Sequence, residues 1–205
     1  MKKDLQEELK PYLPENSPDL VAGWLNGHEV MLRVTRGRRS KLGDYRPPAH
    51  DRYHRISVNR DLHPYEFLIT LAHEFAHLRV WEKHGRRAKP HGKFWKAEFA
   101  SLLSSLLDRE IFPEHIEKLL VHHMQHPKAN SKGHTALARA LHEYEPVQHG
   151  LFLEDLPQNA LFQLPDGRRF VKLEKLRTWY RCQNLDTKKT YRISPVTRVL
   201  PVKEK

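Results

Sequence analysis

Cysteine is almost missing: the 205-residue chain has one, Cys182. A single thiol excludes an intramolecular disulfide and any zinc site built from several cysteines. It agrees with a reducing compartment. Long apolar runs are missing too. No stretch approaches the roughly 20 apolar residues that span a bilayer, so no membrane partner is expected. The charged opening MKKDLQEELKPYLP has no apolar segment behind it, which argues against a signal peptide. It reads instead as an amphipathic helix over about residues 2–10, ended by Pro11 and Pro14. The expected location is cytoplasmic, nucleoid-associated if the source is bacterial. Acidic residues are in deficit, 25 against 36 Lys and Arg, leaving a net charge of +11. That excess favours a polyanionic partner, nucleic acid first. Hydrophobic residues make up 39%, enough for a lean core in one domain, or one domain with an appendage.

What is present is organised in two parts. A helix is expected from Pro18-Asp19, with Leu20, Val21, Trp24 and Leu25 inward, stopping near Gly27. HEVMLRVT, from His28, alternates Val30, Leu32 and Val34 with the period of a strand. RGRRSKLGDYRPPAHDR then reads as a basic loop punctuated by Gly and Pro. HRISVN, from His54, is a second strand. From Pro64 the spacing of Phe67, Leu68, Leu71, Phe75 and Leu78 is helical, and Gly85 can end that helix. A further helix carries Phe94, Trp95, Phe99, Leu102, Leu103 and Leu106 as its apolar stripe. Two weaker helices follow, over about 113–124 and 135–144. Composition changes after Gly150. The short alternating runs ALFQL, RRFVKL, RTWYRCQN, KTYRIS and RVLPV predict a small antiparallel β-module, with Asp166-Gly167 as a hairpin turn. The fold class is thus α+β, with a mostly helical domain over 1–150 and the β-module over 151–205.

The chemistry lies in His73-Glu74-Phe75-Ala76-His77, an HExxH sequence. Residues four apart share a helix face, about 6 Å along the axis, so both imidazoles can point at one ion. Glu74 projects beside them and can act on a water held by the metal without being a ligand. The two histidines flank the apolar stripe, where unpartnered imidazoles would be costly. A catalytic zinc needs a third protein ligand. His84 lies seven residues on, about 10 Å along an unbroken helix, which is too far. His91 is better placed, after a turn bracketed by Gly85 and Pro90. Glu98, in the next helix, is the rival ligand or a partner for an imidazole N–H. His122, His123 and His126 form a cluster that lacks an acidic partner at useful spacing and reads as surface.

The combination SKLGDYR, ISVN, FLITLAHEFAHL and KPHGKFWK resembles the SprT-like metallopeptidases over about residues 18–110. The resemblance implies a zincin-like domain, one Zn2+ on His73, His77 and His91, and Glu74 as the base in peptide hydrolysis. It implies proteolysis of proteins bound or crosslinked to DNA, with DNA as activator; the DNA is expected to be single-stranded or distorted, and the protein a monomer. Related chains carry a four-cysteine zinc ribbon at the C-terminus. With Cys182 alone, a ribbon-like β-fold without metal is expected, held by Phe162, Phe170, Trp179, Tyr180 and Tyr191. At least one of Trp179 and Tyr180 should be core, since strand neighbours face opposite ways. The candidate nucleic-acid contacts are Arg36, Arg38, Arg39 and Lys41 in the basic loop, and Arg86, Arg87, Lys89 and Lys93 around the third ligand. Arg168, Arg169, Lys172, Lys175, Arg177 and Arg181 crowd the β-module. A peptide substrate is expected to lie along the strand at 54–59.

Overall fold

Pro64 opens the longest helix, because its fixed φ suits a first turn and its missing N–H is not needed there. His63 caps that turn, its Nδ1 accepting from the Tyr65 N–H at 3.3 Å. The computed structural model, which describes residues 7–38, 41–125, 135–144 and 150–202, divides into two compact units, Met1–Ala129 and Asn130–Lys205.

In the first unit, helical residues 7–9 run into a 3-10 turn, Lys10–Tyr12. Residues 2–6 of the expected opening helix lie outside the described residues. Then come α1 (Pro18–Leu25), β1 (Val30–Thr35), β2 (Gly43–Arg46), β3 (His54–Asn59), α2 (Pro64–His84), α3 (Lys93–Leu107) and α4 (Glu114–Gln125). The sheet order is β1-β3-β2, with β1 parallel and β2 antiparallel to β3. Strand β2 falls in the stretch read as a loop. GDYR has a single apolar residue and no alternation to reveal it; pairing of Gly43 with Val58 and Tyr45 with Ile56 makes it a strand. Its presence corrects the expected substrate path. Residues 54–59 form the central strand, hydrogen-bonded on both sides, so no edge is left there for a peptide. The outer edge beside the site belongs to β2.

Helix α2 is the core of this unit. Phe67, Leu68, Leu71, Phe75 and Leu78 are at most 1% exposed, because β2, β3 and α3 all pack on it. Such side chains contribute about 1.5–3 kcal/mol each by leaving water. Gly85 ends the helix with φ of 60°, a left-handed conformation that costs glycine nothing. Helix α3 buries Trp95, Phe99, Leu102, Leu103 and Leu106 as its periodicity predicts. Phe94 departs from that stripe: it is exposed and stacks on His84, ring centroids 3.9 Å apart. His123, read as surface, is buried against Phe99, and His126 lies outside the described residues.

The second unit has α5 (Thr135–His142) and six strands, β4 (Leu151–Phe152), β5 (Leu161–Gln163), β6 (Arg169–Lys175), β7 (Tyr180–Asn184), β8 (Thr190–Ile193) and β9 (Arg198–Pro201). They form one antiparallel sheet in the order β4-β9-β5-β6-β7-β8. Ala138 of α5 packs with Phe152 and Val196, which groups that helix with the strands and starts this unit before Gly150. The core is Phe162, Phe170, Tyr180, Cys182, Ile193 and Val199, with Leu153 and Leu156. Trp179 and Tyr191, expected to help hold it, are exposed. Lys172 is no surface cation: it is buried, donating from Nζ to the Leu156 and Glu154 carbonyls and lying 4.1 Å from the Tyr180 ring centroid. No helix among the described residues is long and apolar enough to cross a membrane.

Candidate metal centre

Helix α2 presents His73 and His77 on one face, as the four-residue spacing requires. The chain then turns at Gly85, passes through a 3-10 turn over Gly85–Arg87 and returns at His91. His91 Nε2 lies 3.1 Å from Nε2 of His77 and 3.1 Å from Nε2 of His73. The ligand atoms of all three fall within 4.8 Å of one another. One imidazole N–H can satisfy one neighbour, but three ring nitrogens aimed at a common point cannot satisfy each other. A cation among them can, and these three residues could hold one metal ion.

Backbone detail explains why the turn has this sequence. His91 adopts φ of 53°, uncommon for a residue with a side chain and the kind of strain that functional sites retain. Gly92 caps α3, and its N–H donates to the Lys89 carbonyl at 2.9 Å. A Cβ at position 92 would stand 2.9 Å from that same oxygen, so only glycine fits after His91.

Burial sets the protonation of the trio. Loss of solvent, reinforced by His77 and His91, pulls His73 down to about 3. The same loss, with His91 beside it, pulls His77 down to about 4. His91 is lowered by burial alone. All three are therefore neutral near pH 7, the state in which imidazole donates a lone pair.

Glu74 is buried beside His73, on the side of the helix that meets β2. Burial, with Asp44 nearby, pushes its carboxyl up to about 8 against the opposing pull of Arg38, Lys41 and the Tyr45 N–H that it accepts from. Gly43 makes this approach possible: a Cβ there would stand 2.6 Å from Glu74 Oε1. The rival ligand Glu98 is committed elsewhere, paired to Lys83 and, at 3.6 Å, to Arg79.

Two residues lie in the motifs quoted above, but their place against the histidines was not legible in the sequence. Trp95, legible as a core position, is the floor of the histidine cluster. Its ring centroid lies 4.6, 5.6 and 4.7 Å from those of His73, His77 and His91, and its indole N–H donates to the His73 carbonyl at 3.3 Å. Tyr45, hidden in the supposed loop, stacks on His77 at 6.0 Å with 12° between planes. Its hydroxyl is hydrogen-bonded to His54 Nδ1 at 2.9 Å, and burial raises its pKa above the ordinary phenol range. Beyond it, Glu82 takes His28 Nδ1 at 2.8 Å.

The basic residues separate into groups. Arg38 is spent internally, its Nε on Asn59 Oδ1 at 2.8 Å and its Nη1 on Ser57 Oγ at 3.0 Å. Lys41 pairs with Asp44 at 2.7 Å. Arg39 lies outside the described residues. Arg36, Arg86, Arg87, Lys89 and Lys93 are exposed. A cleft of about 700 Å³ opens over the histidines, and Arg86 and Lys89 line it while Arg36, Arg87 and Lys93 do not.

Paired histidines on a helix, a third from the following turn and a buried carboxylate under an edge strand make a cluster that could hold one metal ion with an acid beside it. Residues 21–105, which contain all of these parts, match the model of the SprT-like family. Comparison with curated proteins and with solved structures gave no significant match.

Proposed function

We propose that the protein is a zinc-dependent endopeptidase that acts on DNA-bound or DNA-crosslinked proteins. The observation that carries this reading is the convergence of His73, His77 and His91 in one cleft with the Glu74 carboxyl beside them. Three imidazoles around zinc at about 2.0–2.1 Å in tetrahedral geometry put their nitrogens about 3.3 Å apart, close to the 3.1 Å separations here. When bound, zinc supplies a Lewis acid that polarises a carbonyl and brings the pKa of a water towards about 7.

The chain's own groups do the rest. Glu74 accepts the proton of the attacking water at its carboxylate and delivers it to the leaving amine. Burial raises its pKa in the metal-free protein, and a cation beside it would draw that value back towards the carboxylate form that accepts the proton. The Tyr45 N–H and Gly43 fix where that carboxylate sits. The β2 edge offers an extended peptide a strand to lie against. Trp95 and Tyr45 hold the imidazole rings in place from two sides. DNA contact is assigned to Arg36, Arg87 and Lys93, which are exposed outside the cleft, in a chain of net charge +11.

The test is to incubate zinc-loaded protein with a basic DNA-binding protein, with and without single-stranded DNA. Cleavage that appears or accelerates with DNA is expected; a protein that binds one zinc and never cuts would instead be a binding module with a non-catalytic ion. Three phosphate contacts predict that log Kd for a single strand rises with log salt at a slope of about 2, measurable by anisotropy. Gly43→Ala is expected to keep zinc and lose about 10²-fold in rate, since its methyl displaces the Glu74 carboxylate by the order of an ångström. Metal stoichiometry and turnover on the same preparation check this.

A further inference from the structure

The cleft has two unlike walls. On the β2 side, Asp44 is neutralised by Lys41 at 2.7 Å and by Arg46 at 2.9 Å. On the other side, the turn leading to His91 places Arg86 and Lys89 in the lining, and neither forms an ion pair among the described residues. Val80, Trp81 and Pro90 add apolar lining to the same cleft. The Arg86 guanidinium lies 5.9 Å from the Trp81 ring centroid, at the outer limit of a cation–π contact, which leaves its edge N–H groups available. The break at Gly85 puts this pair here: an unbroken helix would carry residues 86–89 away from the cleft instead of back across it.

We infer that Arg86 and Lys89 form a subsite for a carboxylate of the peptide substrate, seated over Trp81 beside the metal histidines. A guanidinium edge takes a carboxylate through two parallel hydrogen bonds, and an adjacent ammonium adds charge without demanding geometry. A nucleic-acid strand is the poorer occupant, because the Arg86 guanidinium lies against the Trp81 ring where a base would otherwise stack. The carboxylate is either an Asp or Glu side chain near the scissile bond or the free C-terminus of a peptide. The inference rests on the peptidase reading, and it gives the cleft a selectivity opposite to that of basic DNA-binding proteins. DNA would then recruit such substrates while the cleft selects acidic positions within them.

Binding of labelled, N-acetylated hexapeptides to zinc-loaded Glu74→Gln protein reads the subsite without turnover. The set pairs Glu with Gln and Lys at each position, each with a free or an amidated C-terminus. A preference of about tenfold for the carboxylate-bearing peptide is expected, lost in the Arg86→Glu/Lys89→Glu variant with zinc content unchanged. Loss on Glu→Gln assigns the side chain as the source; loss on amidation assigns the chain terminus. Equal affinity across the set overturns the inference, as does a double variant that weakens single-stranded DNA binding and leaves peptide discrimination intact. Wild-type turnover of the same peptides separates the two readings. Discrimination in binding with no cleavage anywhere removes the peptidase and leaves the subsite; cleavage without discrimination does the reverse.

Discussion

Glu74→Gln is expected to keep one zinc per chain and to lower peptide hydrolysis by about 10²–10⁴-fold, the usual contribution of a positioned general base. The same substitution is expected to stabilise the metal-free protein at neutral pH. Folding raises the Glu74 pKa from 4.5 to about 8, chiefly through burial. A group raised in this way contributes its full stability below its unfolded pKa and loses it as pH rises through the folded value. The window is therefore about pH 4.5 to 8. Below it, wild type and variant should unfold alike; above it, the wild type pays for a buried carboxylate that the neutral amide avoids. The gain is on the order of 4 kcal/mol by pH 8. Thermal unfolding of both apoproteins across pH 4–8 checks it. A constant difference over that range would show that the carboxylate is not desolvated as described. In the zinc-loaded protein the gain shrinks, because the carboxylate then faces a cation.

His91→Ala is expected to lose the metal and, with it, activity. Two histidines on one helix do not make the three-ligand set that catalytic zinc requires. The affinity loss should exceed the roughly 10–100-fold that follows removal of an outer partner of a ligand. Glu98→Gln is the control and should retain zinc, since Glu98 is bound to Lys83 and Arg79. His91→Gly adds a second readout. Position 91 has φ of 53°, so glycine relieves strain that alanine keeps, and the glycine apoprotein should be more stable by about 1 kcal/mol. Zinc retained at full affinity by His91→Ala would remove His91 from the ligand set. Acid acts on the same site: the depressed values of His73 and His77 mean stability held above pH 6.5 and lost as pH falls through about 4 to 3.

Much of the site was legible because helices advertise themselves locally. The apolar period from Phe67 to Leu78 fixes the face on which His73 and His77 lie, and Gly85 marks where the helix stops. Strand β3 was equally clear from Ile56 and Val58. Strand β2 was not, because GDYR pairs through its backbone with β3, and backbone pairing leaves no trace in side-chain alternation. With β2 unseen, the substrate path was assigned to the wrong strand and Tyr45 was passed over. Charge misled in the same way. Arg38, Lys41 and Lys172 count towards +11, yet Arg38 is tied to Ser57 and Asn59, Lys41 to Asp44, and Lys172 to buried carbonyls.

Sequence alone determined the elements whose information is periodic or short-range: the metal-site helix, the pair of histidines four residues apart, the glycine stop, and the alternating strands of the second unit. Only the tertiary structure brought His91 against His73 and His77 while tying Glu98 to Lys83 and Arg79, made Trp95 the floor of the cluster, turned GDYR into a wall of the cleft, and sorted the exposed cations from those paired internally. The physical reason is separation along the chain. His73 and His91 are 18 residues apart, and Glu74 meets a Gly43 that lies 31 residues before it. Contacts over such distances are set by how helices and strands pack, and no local pattern of residue types encodes them.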